Sequence, residues 1–262
     1  MRKILVGGGW KMNKTVDESI SYAKRLLRFV NKNSEKLKEI EVFILPTFLA
    51  LYSFSKILKG SKLKYGAQNC FWADEGAYTG EVSPMHLKNI GCTFVELGHP
   101  ERLNILGENE EMINMKINGA LKNNLTPILC IGEERKYSKK TEVYDFLIKQ
   151  VRAYFKGLYM DSVKKVILAY EPVWAIGADR SAPVEYISDS LDFLRNFLDT
   201  EYGKGVGLSQ LIFYGGSVNP ASAFEILKLK NNNGIFIGRA SLDYDYFTNM
   251  VNMAVEARAI SG

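Results

Sequence analysis

Glu171 is the residue whose setting points most directly to chemistry. It follows the apolar run Val166–Tyr170 and precedes Pro172-Val173-Trp174-Ala175-Ile176-Gly177. A carboxyl group in surroundings this apolar holds its proton more tightly, which suits a general base at neutral pH. The ordinary alternative is a surface Glu at the start of a helix. Pro172 and Trp174 would make an odd first turn, however, and Gly177-Ala178 reads as a mobile tip, so the functional reading is preferred. His99 follows Phe94-Val95-Glu96-Leu97-Gly98 and precedes Pro100-Glu101-Arg102. A lone His at a strand end is more often packed or capping than catalytic. Here Gly98 lets a substrate approach closely, and Pro100 suits the first position of a helix. An imidazole at a helix N-terminus is disfavoured as a cation, and in its neutral form it can donate to a carbonyl that is gaining negative charge. His86, the only other histidine, has none of these features and is assigned to a helix surface.

Lys11, in Gly9-Trp10-Lys11-Met12-Asn13, sits between bulky apolar side chains just past the first apolar run. Most lysines face solvent, and alone this one is a weak signal for an anion site. Two glycine motifs strengthen it: Tyr214-Gly215-Gly216-Ser217-Val218-Asn219 and Gly238-Arg239-Ala240-Ser241. Each follows an apolar run and opens a helical segment, where backbone N–H groups can cradle a phosphate.

These residues need elements that bring them together. Short apolar runs at Ile4–Val6, Glu41–Leu45, Leu63–Ala67, Phe94–Leu97, Pro127–Ile131, Val166–Tyr170, Leu211–Tyr214 and Ile235–Ile237 read as strands. Several are almost unbroken, as parallel strands buried on both faces require. Between them lie amphipathic patterns. Asp17 to Val30 places Ile20, Ala23, Leu26, Leu27 and Val30 on one face, and Val143–Phe155, Val184–Leu198 and Tyr246–Ala257 repeat the design. Eight strand–helix units in 262 residues give about 33 residues each, which fits one (β/α)8 barrel spanning residues 1–262 as a single α/β domain. A doubly wound open sheet is the alternative, but Gly7-Gly8-Gly9-Trp10 lacks the spacing of a dinucleotide fingerprint. In such barrels active sites gather at the C-terminal strand ends, often with a phosphate site after strands seven and eight, where the two glycine motifs fall.

Composition bounds the rest. At 47% hydrophobic and 24% charged the chain is globular rather than disordered. Its formal charge of +5 comes without a basic block, so nucleic acid is not an expected partner. Cys70, Cys92 and Cys130 show no metal spacing, and two histidines cannot build a His-rich centre. The apolar start Ile4-Leu5-Val6 is too short for a signal peptide, and the longest apolar stretch, Val42 to Phe54, is interrupted by Pro46-Thr47 and too short for a membrane span. A cytoplasmic protein without a membrane partner is expected.

Taken together, the motifs resemble the triosephosphate isomerase family along essentially the whole chain. The likeness is carried by Trp10-Lys11-Met12-Asn13, Gly76-Ala77-Tyr78-Thr79-Gly80-Glu81, Leu97-Gly98-His99 with Glu101-Arg102, Cys130-Ile131-Gly132-Glu133, Tyr170-Glu171 through Gly177, and Tyr214-Gly215-Gly216-Ser217. That family is itself the usual illustration of a Glu base, a neutral His electrophile and a closing loop, so these roles are carried over. The resemblance implies isomerisation of a small phosphorylated sugar with no cofactor and no metal. It assigns Glu171 as base, His99 as electrophile, Lys11 as a stabiliser of negative charge and Glu101 as the residue ordering their network. It also implies a lid over residues 172–182 that includes Pro172, Val173, Trp174, Ala175, Ile176 and Gly177. Phosphate would be held by the backbone of Gly177, Ser217 and Gly238, with Arg239 beside it. Thr79 matches a position that reaches into a partner subunit, so a homodimer is implied.

Four departures bear on the substrate. Gly9 stands where members acting on triose phosphates carry Asn, Pro100 where they carry Ser, Leu103 where they carry a second Arg, and Arg239 where they carry Gly. Gly9 is expected to leave space beside the reacting carbons. Trp72-Ala73-Asp74-Glu75-Gly76-Ala77 and Phe236-Ile237-Gly238-Arg239 look like relatives acting on tetrulose phosphates. The expected substrate is therefore a four-carbon ketose phosphate such as L-erythrulose 1-phosphate, with the triose phosphates as the alternative. An aldolase-type barrel would need a Schiff-base lysine, for which only Lys11 offers itself. A non-catalytic phosphate-binding barrel is opposed by the intact Glu–His–Lys set.

Overall fold

The computed structural model describes residues 3–178 and 180–261, and in it eight parallel strands close on themselves. They are β1 Ile4–Gly9, β2 Ile40–Leu45, β3 Lys64–Ala67, β4 Phe94–Leu97, β5 Thr126–Ile131, β6 Ile167–Tyr170, β7 Ile212–Tyr214 and β8 Gly234–Ile237. Closure is made by β1, whose Val6 aligns with Val42 on one side and with Ile235 on the other. The expected (β/α)8 barrel is the fold.

Alternation along each strand sorts the core into two. Inward positions supply Leu5, Phe43, Leu45, Phe94, Ile128, Cys130, Ile167, Ala169, Phe213 and Phe236, which fill the barrel. Outward positions such as Val6, Val42, Ile44, Val95, Leu97, Leu168 and Ile237 pack against the helices. Both faces are apolar, so the strands read as unbroken runs.

The largest departure from expectation is in β1, which continues through Gly7, Gly8 and Gly9 instead of ending at Val6. Sequence propensity disfavours glycine in a strand, yet here its missing side chain is what the packing needs. A Cβ at Gly7 would stand 2.0 Å from Cζ of Phe43. The Phe43 ring uses that room to meet Phe94 at 4.6 Å and Phe236 at 5.9 Å between centroids.

The helix Val16–Lys32 begins at Thr15, whose hydroxyl accepts from the Glu18 N–H while the Glu18 carboxylate accepts from the Thr15 N–H. Its buried face is Ser19, Tyr22, Ala23, Leu26 and Val30, so Ile20 and Leu27, expected in the core, lie only partly buried. The stripe is turned toward Tyr22, whose hydroxyl donates to the Ser241 carbonyl at 2.7 Å. The other expected helices occur as Lys140–Tyr154, Val184–Tyr202 and Tyr244–Ser261. Among the described residues no helix is long and apolar enough to cross a membrane.

Candidate active site

Strand parity delivers most of the site. Continuing the inward alternation past the strand ends brings Lys11 on β1, Glu96 on β4, Glu171 on β6, Gly215 on β7 and Gly238 on β8 to the same mouth. His99 has the wrong parity from Phe94 and Glu96. Gly98, at φ +74°, breaks the alternation and turns the imidazole inward. Lys11, Glu96, His99, Glu101, Glu171, Ile176, Gly177, Ser217, Gly238 and Arg239 all line one cavity of about 950 Å³. Of the remaining lid residues, Trp174 and Ala175 pack against the core beside that cavity, and Val173 borders a small neighbouring void that also touches Glu171. Thr79 is exposed on the loop after β3 and does not line this cavity. His86 is exposed on the helix Pro84–Asn89, as expected.

Glu171 is 2% exposed, and its backbone N–H donates to the Ile131 carbonyl at 2.7 Å. Burial first, and the neighbouring Glu96 carboxylate second, push its carboxyl well above the ordinary range. Lys11 opposes that shift. The close fit depends on two glycines. A Cβ at Gly215 would be 2.3 Å from Oε1 of Glu171, and a Cβ at Gly132 would be 2.0 Å from its carbonyl oxygen.

Nδ1 of His99 accepts a hydrogen bond from the Glu101 N–H at 3.1 Å. That bond places the ring's proton on Nε2, which faces the cavity 3.9 Å from Oε2 of Glu171. Burial, then the Lys11 charge, holds the imidazole pKa down to about 4, so it is neutral at neutral pH. The helix that begins here, Pro100–Asn104, is only five residues long. Burial and the Lys11 charge, more than a helix dipole, therefore keep the imidazole uncharged.

Lys11 adopts φ +51°, a left-handed backbone conformation uncommon for a residue with a side chain. Its ammonium meets Oε1 of Glu101 at 2.5 Å, joining Lys11, Glu101 and His99 in one network. The arrangement offers a buried carboxylate to take a carbon-bound proton, an N–H donor for an oxygen and a cation nearby.

The strand-end pattern marks Glu133 as a polar residue after its apolar run but does not reveal what it supports. Glu133, fully buried after β5, accepts from Tyr170 Oη at 3.1 Å, Trp174 Nε1 at 2.8 Å and Tyr186 Oη at 2.6 Å. It thereby anchors the 3₁₀ turn Val173–Ala175 at the start of the lid segment. At the other end, the Ala182 N–H donates to Tyr214 Oη at 3.1 Å. Between them Gly177 takes φ +73° at the exposed tip, while position 179 lies outside the described residues. The glycine motif after β7 leads to the helix Pro220–Leu227, capped by Asn219. The motif after β8 opens a 3₁₀ turn, Arg239–Leu242, instead of a long helix, and the side chain of Arg239 is exposed at the cavity rim.

One expectation is corrected. The space anticipated beside Gly9 is occupied by Phe236, since a Cβ at Gly9 would stand 2.9 Å from Cζ of that ring. Phe236 itself lines the cavity.

A sequence model of triosephosphate isomerase matches residues 4–254. The chain belongs to the triosephosphate isomerase family. It is 41% identical over 251 residues to triosephosphate isomerase of Dictyoglomus thermophilum, covering 96% of this chain and 99% of that protein. It is 37% identical over 252 residues to triosephosphate isomerase of Caldanaerobacter subterraneus subsp. tengcongensis, covering 96% and 100%. The crystal structure of triosephosphate isomerase from Bartonella henselae superposes with a TM-score of 0.80 at 29% identity, covering 96% of this chain and 98% of that one. The expected tetrulose-phosphate branch finds no support in these relatives, whose names all specify the triose phosphate enzyme.

Proposed function

We propose that this family member interconverts dihydroxyacetone phosphate and glyceraldehyde 3-phosphate. The observation that carries the reading is the pairing, across one cavity, of the buried Glu171 carboxyl with a neutral imidazole whose N–H lies 3.9 Å away. Glu171, as carboxylate, takes a proton from the carbon beside the carbonyl, and the electron pair of that C–H bond moves into an enediolate. His99 Nε2–H donates to the carbonyl oxygen and shuttles protons between the two oxygens. Glu171 then returns its proton to the neighbouring carbon. Lys11 stabilises the negative charge, and Glu101 orders Lys11 and His99. The backbone N–H groups of Gly177, Ser217 and Gly238 hold the phosphate, with Arg239 at the rim. Closure of the lid, Pro172 through Gly177 and onward to Ala182, excludes water from the intermediate.

The triose reading is preferred to the four-carbon one because the relatives bear that name and because Phe236 fills the room beside Gly9. Specificity constants for dihydroxyacetone phosphate and L-erythrulose 1-phosphate on one preparation test it. The triose phosphate is expected to win by tenfold or more, equivalent to about 1.4 kcal/mol of transition-state binding. A tetrulose preference of that size refutes the substrate, and a folded protein inert on both refutes the isomerase reading.

A homodimer and a cytoplasmic setting complete the proposal. Met12, Leu49, Tyr52 and Tyr78 expose apolar side chains on the loops and helix following β1, β2 and β3, Met12 to 94% and Leu49 to 80%. Thr79 lies on the same series of loops. The three cysteines are free and buried, which suits a reducing compartment. Sedimentation over a concentration series should report a dimer; a species fixed at monomer mass refutes it.

A further inference from the structure

Beside the proposed base lies a second buried carboxyl group that the reaction outlined above does not use. Glu96 sits on β4, inward like Phe94, and is 6% exposed at the floor of the active-site cavity. The thiol of Cys130 lies between it and the base, with Sγ 3.7 Å from Oε1 of Glu96 and 3.7 Å from Oε1 of Glu171. A thiol has one hydrogen and can serve only one of the two oxygens at a time. It therefore favours a state in which one carboxyl is charged and the other is not.

Building on the isomerase reading, we propose that Glu96 is a positioning residue for the proton chemistry of Glu171, the two carboxyls holding one negative charge between them around Cys130. The surroundings of the pair are consistent with a single charge. Lys11 at the end of β1 is the cation acting on both carboxyls, while Glu101, in the turn after β4, adds negative charge to both. Arg102, in the same turn, acts on Glu96. His99 is neutral, Cys130 on β5 is held as the thiol by burial, and Tyr214 on β7 keeps its proton. Two full charges in this dry site would repel each other, and the cations that could offset them are already paired, Lys11 with Glu101 and Arg102 with Glu108. Burial also pushes Glu96 up to about 7, so its proton is exchangeable in the range where the enzyme works. As a pair, the two groups titrate jointly rather than each by itself.

The chemistry that follows is proton balance alone. When the shared charge rests on Glu171, Glu96 is the neutral acid and Glu171 is free to take the substrate proton. When it rests on Glu96, Glu171 already carries a proton and is idle as a base. Glu96 thus sets the fraction of enzyme in which the base is ready.

The test is the pH profile of kcat/KM in wild type, Glu96→Gln and Glu96→Leu, measured with triose phosphate. The substrate phosphate's own ionisation, near ~6, is common to all three and cancels in their ratios. Both variants lack the competing charge, so their acid limb should move down by about one pH unit. At pH 6 each should then keep a larger share of its own plateau than wild type does, while the plateau falls because the base is weaker. A merely structural role lowers all points by one factor and leaves the limb in place. An unmoved limb in a folded variant overturns the proposal. If neither variant folds, the infrared band of protonated carboxyl groups decides. Wild type at pH 7 should retain a protonated component of about one group that diminishes in Glu171→Gln, and its absence overturns the proposal. The infrared result stands whether or not triose phosphate is the substrate, so failure of the dyad is distinguishable from failure of the isomerase reading.

Discussion

Gly215→Ala tests most sharply whether Glu171 is placed by its neighbours. The backbone at Gly215 is not left-handed, so alanine meets no left-handed strain there. The penalty is contact. The added Cβ would lie 2.3 Å from Oε1, 2.7 Å from Cγ and 2.8 Å from Cδ of Glu171. Ordinary contacts between such atoms begin near ~3.5 Å, so the carboxyl group must retreat by about 1 Å. Displacement of that size at a reacting group costs about 10²-fold in rate, or about 2.7 kcal/mol. Overpacking should also lower stability by about 1–3 kcal/mol. The assay is kcat and KM for triose phosphate, with competition by inorganic phosphate to report the phosphate loop and thermal unfolding to report the fold. The expected pattern is a large loss in kcat, a small change in phosphate affinity and a folded protein. Activity within threefold of wild type would show that the carboxyl position is not critical, and the assignment of Glu171 as base would fail with it.

Two further predictions concern Phe236 and His99. Phe236→Leu should open room beside Gly9 and raise the ratio of L-erythrulose 1-phosphate to dihydroxyacetone phosphate turnover up to about tenfold, about 1.4 kcal/mol; an unchanged ratio would mean that the ring does not limit substrate size. His99 is held near 4 against an ordinary 6.5, so the unfolded chain binds more protons between those values and wild-type stability should fall as pH drops through that window. Relative to His99→Asn, that loss should approach about 3 kcal/mol by chemical denaturation, and parallel stability curves would refute the buried neutral imidazole.

The positions of Lys11, Glu171 and the two glycine motifs were legible because strand ends in a parallel barrel collect residues by register, and apolar runs mark the strands. The helices Phe48–Ile57 and Glu110–Lys122 were not; Phe48–Ile57 continues the apolar stretch of β2 with only Pro46-Thr47 between them. Nor was β1 legible beyond Val6, because the three glycines are strand-like only in the presence of Phe43 against Gly7, Ser241 against Gly8 and Phe236 against Gly9. Glu133 lay in a recognised motif, but its three donors come from Tyr170, Trp174 and Tyr186, which spacing along the chain cannot bring together. Glu96 was visible only as one letter in an apolar strand. Its meaning depends on Cys130 and Glu171, each from another strand.

Gly9 and Phe236 show why single departures from a family pattern are poor guides to substrate size. Read alone, the loss of an Asn side chain at position 9 implies a larger cavity and a longer substrate. The barrel interior, however, is packed to near-constant density, so volume given up on one strand is taken by its neighbours. Gly8 of β1 aligns with Ile237 of β8, which brings the Phe236 ring against the surface that Gly9 leaves bare. The Gly7 position does the same for Phe43 on the other flank. What the exchange alters is therefore chemistry more than space: where an amide could donate to substrate, the chain presents an aromatic edge, in the same cavity that Glu96 lines. An amide at position 9 would not titrate, whereas Glu96 does, so the pH dependence of the site rests on its buried carboxyls, and the limb of the Glu96 variants measures the share that Glu96 contributes.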